Sequence, residues 1–211
     1  PELFGKLSLL MAVIAIVSPF MTLGLNSLIT REIVHRPSES ELILGSALVM
    51  RAAAGVTIAA FVSFISRYYL AYDDWKLFVF LVIASIFNAA TVFDFWIQAH
   101  VANRLAVKLR LFILFIFSAS RLIAIHMDCD FSVFVYLLGM ETVFHGVGFL
   151  GLYQLLNKGC NKLRFAFDEC LKLARDGRWL FLSGIAAVLY LKIDQVMLGI
   201  MLGEHAVGVY S

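Results

Sequence analysis

The chain has 211 residues, of which 62% are hydrophobic and only 15% charged, and it carries a formal net charge of +2. Soluble domains hold about 45–50% apolar and roughly 25% charged residues, so this composition, with a mean hydropathy of +0.90, excludes a soluble domain. The unit to count is the membrane-crossing helix, which needs about 20 consecutive apolar residues.

Six stretches reach that length. The first, 7–29, carries Ser18, Thr22 and Asn26 on one face, beside Pro19 and Gly24. Pro37, Ser38 and Ser40 interrupt the pattern before the second, 42–65, which contains Arg51. After Asp73 and Asp74 comes the third, 77–97, where Asn88, Thr91, Asp94 and Gln98 form a polar stripe. The fourth, 104–125, begins among Arg104, Lys108 and Arg110 and contains Arg121; Asp128 and Asp130 then lead to the fifth, 131–156. There Glu141 and His145 are four apart and share a helix face.

Residues 157–178 are the longest polar stretch. Leu163, Phe167, Cys170, Leu171 and Ala174 recur at helical spacing among Lys162, Asp168, Glu169, Lys172 and Arg175. That pattern predicts a basic amphipathic helix on the membrane surface, or a solvated linker helix. The sixth span, 179–202, places Ser183, Ala187, Tyr190 and Asp194 on one face, with Lys192 on another. Residues two apart on a helix do not meet, so Lys192 and Asp194 each require a partner of their own.

Basic residues are unevenly shared between the connections. One alternating set holds eleven: Arg31, Arg36, Arg104, Lys108, Arg110, Lys158, Lys162, Arg164, Lys172, Arg175 and Arg178. The other set holds three, Lys6, Arg67 and Lys76. Basic connections stay cytoplasmic, which places Pro1 and Ser211 on the outer side. An uncleaved outer start at Pro1, without a signal-peptide pattern, is the expectation for a piece of a longer protein with a span upstream. Cys129, Cys160 and Cys170 make neither a disulfide framework nor a zinc pattern and read as small apolar residues.

Arg51, Arg121, Lys192, Asp94, Glu141 and Asp194 all fall within spans. A charge at the middle of a span costs about 2.5–3.5 kcal/mol on insertion scales, so these residues are expected to face the bundle interior or a watery cavity. Helix rise puts Arg51 and Glu141 each about 15 Å from a membrane boundary, near the midplane. Lys192, Asp194 and Arg121 fall in the outer half, which makes Arg121 a candidate counter-charge for Asp194. Two readings fit: structural ion pairs, or a polar lining that binds substrate or ions. On the second, Arg51, Arg121, Lys192, Asn88 and Tyr190 are the substrate-binding candidates; Asp94, Glu141, His145 and Asp194 are candidates for ion coupling or ion pairing. No catalytic constellation, resident metal site or cofactor motif is recognisable: Glu141 and His145 are not the two-histidine zinc pattern, and Asp73–Asp74 reads as a solvated turn.

Four segments carry a resemblance: PELFGKLS at the start, GLNSLITREI at 24–33, VFDFWIQAHVANRLAVKLRL at 92–111 and YLKIDQVMLGIMLGEHAVGVYS at 190–211. Together and in order they resemble bacterial polysaccharide flippases of the O-antigen type, in the multidrug/oligosaccharidyl-lipid/polysaccharide exporter superfamily. The resemblance implies an all-α polytopic bundle, with six spans here out of twelve or more in two lobes. Residues 1–156 would form most of the N-terminal lobe without its first helix, 157–178 a cytoplasmic inter-lobe helix, and 179–211 the first helix of the C-terminal lobe and the start of its outer loop. It implies a transporter, not an enzyme, in the bacterial inner membrane. The implied activity moves polyprenyl-diphosphate-linked oligosaccharide from the inner to the outer leaflet. Implied partners are that lipid-linked oligosaccharide, membrane lipids, and the polysaccharide polymerase and glycosyltransferase machinery, with no nucleic acid. An ion-coupled drug or cation exporter of the same superfamily, and a membrane enzyme of glycan assembly, are the alternatives.

Overall fold

A computed structural model describes residues 2–100, 103–157 and 163–210; Pro1, Lys158, Cys160, Lys162 and Ser211, named above, lie outside the described residues. Among the described residues the regular structure is helical throughout. The helices are α1 (Glu2–Thr22), α2 (Asn26–His35), α3 (Ser40–Ser66), α4 (Tyr72–Ile86), α5 (Val92–Ala99), α6 (Asn103–His126), α7 (Phe131–Leu156), α8 (Phe167–Leu202) and α9 (Glu204–Tyr210). They supply six helical segments long and apolar enough to cross a membrane. The chain is therefore an all-α polytopic bundle, as the sequence predicts.

Two of the spans are broken where they were expected to be continuous. The first divides at Leu23 and Gly24, both with positive φ (54° and 61°). A residue there without a Cβ adopts the left-handed backbone at little cost, and Asn26 opens α2 directly after the break. Gly24 also admits α8, since a Cβ at 24 would lie 2.7 Å from the Phe181 Cα. The third span tightens between α4 and α5 into a 3-10 turn, Phe87–Thr91. Gly146 of α7 makes room for it, since a Cβ there would lie 2.5 Å from the Phe87 carbonyl oxygen.

Residues 167–178 are helical and continuous with the sixth span. Instead of a separate surface helix, α8 runs unbroken for 36 residues through Arg178 and Trp179. Nothing in that stretch stops a helix: it contains no proline, and Gly177 is packed against Leu25. At about 1.5 Å per residue α8 is about 54 Å long, well beyond the roughly 30 Å hydrocarbon core. The face that packs is also different. Glu169, Leu173 and Gly177 are buried, while Phe167 and Leu171 of the expected apolar stripe are exposed. Glu169 can be buried because Arg36 neutralises it, with contacts of 2.6 and 3.2 Å.

The connections gather at two ends. At one end Arg36 joins Glu32, Glu39 and Glu169. The strand-like lead into α8 lies on α3 there, with Arg164 N–H donating to the Glu41 carbonyl (3.4 Å) and Ala166 N–H to the Ser46 hydroxyl (3.2 Å). At the other end Lys6 pairs with Asp74 (2.5 Å) and sits over the Phe131 ring. The connections carrying Arg36, Arg104 and Arg164 therefore share an end, in keeping with the alternating charge pattern.

Apolar packing forms two clusters with a polar layer between them. One includes Ile43, Leu44, Ala47, Val92, Phe93, Ile97, Phe149 and Tyr153. The other includes Ala59, Leu77, Phe78, Leu81, Val82 and Val135. On α3 Arg51 falls between the clusters. Along α4 and α5 it is Asn88 and Thr91, and on α7 it is Glu141 and His145. Outward-facing residues such as Phe61, Phe64, Phe112, Phe115 and Leu122 are exposed, as a lipid-facing surface requires.

Candidate functional site

The polar layer is built around Arg51, which is 0% exposed. Its Nη2 donates to Oδ1 of Asn26, and its Nη1 donates to Oγ1 of Thr91 at 3.2 Å. The Thr91 hydroxyl in turn donates to the Asn88 carbonyl at 2.7 Å. The guanidinium carbon lies 5.4 Å from the centre of the Phe95 ring. Asn26 is in place because of the helix break at Gly24, and Thr91 because the 3-10 turn swings it towards α3. Nε has no partner among the described residues, and no carboxylate pairs with this arginine there. Neutral oxygens and a ring face stabilise the cation and leave its charge uncancelled.

Beside it, α1, α4 and α7 enclose a cleft of about 360 Å³ lined by Ser18, Ser85, Asn88, Glu141 and Thr142 among apolar neighbours. Ser85 and Thr142 donate their hydroxyl protons to their own helices, at Leu81 O (2.8 Å) and Leu138 O (3.2 Å). Their oxygens keep lone pairs for a ligand. The Glu141 carboxylate is paired with Arg121 of α6. One turn and two turns further along α7 lie His145 and Phe149, their rings 6.2 Å apart, with Arg110 over Phe149.

Towards the basic end, Asp94 accepts from Gln98 Nε2 (2.8 Å) and from Arg110. These three, with Asn103, Ala106 and Val107, line a pocket of about 260 Å³. Oδ1 of Asp94 has no partner among the described residues.

The sequence names most of these residues and offers one candidate pairing, Arg121 with Asp194, which the structure does not form. Arg121 pairs with Glu141, across the adjacent helix, and not with Asp194. Asp194 instead accepts from the Tyr210 hydroxyl (2.5 Å) and from Gln195 N–H (2.8 Å), while Lys192 donates to Gln195 Oε1 (3.1 Å). Gly203, with φ of 82°, turns the chain so that α9 folds back and delivers Tyr210. Tyr190 is 84% exposed, so it and its neighbours Lys192 and Asp194 form a separate group on α8, apart from the cleft. The structure thus brings together Arg51, Asn88, Arg121 and Glu141, sets Asp94 and His145 beside them, and does not gather Tyr190, Lys192 or Asp194. Asn26, Thr91 and Arg110 are the partners that the sequence did not assign. Asn26 lies on the polar stripe of the first span without a mark of its partner, and Arg110 reads as an ordinary loop cation. Among the described residues no three histidine, cysteine or acidic side chains cluster as metal ligands.

No curated protein and no solved structure matches the chain. The family described as polysaccharide biosynthesis protein matches it over residues 1–211. The match covers every residue of the sequence, and the chain belongs to the polysaccharide biosynthesis protein family.

Proposed function

We propose that the protein is a flippase of the bacterial inner membrane, carrying polyprenyl-diphosphate-linked oligosaccharide from the inner to the outer leaflet by alternating access. The observation that supports it is Arg51: a fully buried cation whose charge is balanced by no carboxylate among the described residues. A diphosphate cannot cross hydrocarbon without replacement of its water, and a guanidinium fork offers the bidentate donors that phosphate oxygens accept. Phe95 and Thr91 hold the side chain until an anion competes for it. Transport breaks and forms no covalent bond, so this reading asks for no nucleophile. The lipid tail stays in the bilayer while lobes of the full protein rock around the site. Asp94, His145 and Asp194 are the groups left to couple a proton or sodium ion. The cation-exporter alternative is less well supported, because the cleft carboxylate, Glu141, is already neutralised by Arg121.

The test is a flipping assay. Full-length protein in proteoliposomes should move labelled lipid-linked oligosaccharide, and Arg51→Ala should reduce movement to background while membrane insertion persists. Wild-type flipping by Arg51→Ala would remove this arginine from the site. The sidedness is checked by cysteine labelling from outside intact cells. A probe at Asp73, whose side chain is 94% exposed, should react, and one at Arg175, 75% exposed, should not.

A further inference from the structure

At the basic end a second pocket, of about 440 Å³, opens between the start of α3 and the ends of α5 and α7. Its chemistry differs from that of the polar layer. Trp96 and His100 form one aromatic wall, with ring centres 4.1 Å apart and planes tilted by 31°. Tyr153 meets Trp96 edge-on at 5.0 Å and packs against Phe93 at 4.7 Å, so the wall is anchored in the core. The His100 Nδ1 is engaged with the Trp96 carbonyl (2.9 Å), which leaves Nε2 free. Asn157 donates its amide N–H to the Tyr153 hydroxyl (3.0 Å) and keeps its amide oxygen as an acceptor. Opposite stand Ser38, Ser40 and Glu41, whose side chains make no hydrogen bond among the described residues.

We infer that this pocket binds the sugar end of the transported lipid, as a neutral or N-acetylated oligosaccharide, and this inference rests on the flippase reading above. A pyranose ring has an apolar face of C–H groups and a rim of hydroxyls. An aromatic wall with a few convergent polar groups matches both parts. The charge argues against an anion. Glu41 is the pocket's acid, and the adjoining Arg36 is engaged by Glu32, Glu39 and Glu169. The pocket therefore rejects the diphosphate and acidic sugars, while Arg51 attracts the diphosphate. Ten residues of α3 separate Glu41 from Arg51, about 15 Å along the axis, a span that a short oligosaccharide covers. The two ends of one substrate thus find two sites on one helix.

The experiment uses full-length protein in nanodiscs. The probe is the oligosaccharide released by mild acid from the producing organism's own lipid-linked intermediates and fluorescently tagged at its reducing end. Wild type should bind it, and Trp96→Ala should weaken binding at least about tenfold, the usual scale for removing a buried aromatic anchor. Trp96→Phe should hold to within about threefold of wild type, because it keeps a ring. His100→Ala, at an exposed position, serves if Trp96→Ala does not fold, and should weaken binding in the same direction. Phe115→Ala, at an exposed outward-facing position of α6, should bind the free glycan as wild type does. Absence of binding by wild type, undiminished binding by both Trp96→Ala and His100→Ala, or loss of glycan binding in Phe115→Ala would each overturn the assignment. Flipping without glycan binding would remove the pocket and leave the transporter reading intact; glycan binding without flipping would do the reverse.

Discussion

Arg51 on α3 and Arg121 on α6 are both guanidinium groups within apolar spans, and their surroundings differ. Arg121 has a carboxylate, Glu141, and its side chain is 28% exposed. Arg51 has an amide oxygen, a hydroxyl and a ring face, and is fully buried. The first arrangement cancels charge; the second only solvates it. Burying an ion is repaid when a close counter-charge and further hydrogen bonds are present. A cation with no counter-charge among the described residues is therefore the more costly of the two to bury, which is why the proposed function rests on Arg51.

That contrast can be broken by substitution. The largest effect is expected at Arg51: Arg51→Ala should abolish flipping, and Arg51→Lys should retain only part, because lysine keeps the charge and loses the fork. Equal transport by the lysine variant would show that charge alone suffices. Next, Glu141→Gln should destabilise the bundle by up to about 3–5 kcal/mol, since it leaves Arg121 without its counter-charge. Thermal unfolding in detergent reads this, and Arg121→Leu combined with Glu141→Leu should recover most of the loss. A Glu141→Gln protein of normal stability and no transport would instead make that pair a working part of the cycle.

Smaller effects mark the boundaries of the comparison. Arg36 is bound by three carboxylates, and its hydrogen bonds to Glu169 above all push its pKa further up. It stays charged at any working pH. Arg36→Lys should lower stability by about 1–2 kcal/mol, because lysine keeps the charge beside Glu169 and loses the forked contacts, detectable as a modest fall in unfolding temperature. The smallest change is expected for Asp194→Asn, which should leave protein abundance unchanged, because Asp194 is held by a tyrosine and a backbone N–H and neutralises no buried cation. A sharp loss of abundance would mean that Asp194 has a cationic partner elsewhere in the full protein.

The sequence carries the spans and their polar stripes because both are periodic. Ser18, Asn26, Asn88, Glu141 and Arg51 could be placed by depth and face from 1.5 Å steps alone. Pairing is another matter. Nothing periodic links Arg110 to Asp94, and equal depth favoured Arg121 with Asp194 although α6 actually packs on α7. Depth is one coordinate, and a neighbour requires three. The breaks at Gly24 and at Phe87–Thr91 were equally hidden, since hydropathy is unaffected by a local change of backbone conformation. The continuity of α8 was missed for the opposite reason. A change from polar to apolar residues at Trp179 looks like a boundary, yet composition can change along a helix without ending it.

The bare backbone contact between Gly24 and Phe181 has a mechanical consequence. Phe181 divides α8 unequally, with about 21 Å of helix towards the basic end and about 32 Å towards the other. At Gly24 the two backbones meet without a side chain between them, with the Phe181 ring edge-on against Phe20 beside the contact (5.7 Å), so Gly24 is placed as a fulcrum. Were α8 to tilt there by about 10°, its long arm would swing about 5–6 Å and its short arm about 4 Å the opposite way. One movement would widen one mouth of the bundle as it narrowed the other. A methyl group at residue 24 would jam that see-saw, both through the left-handed backbone it must adopt and through its collision with α8.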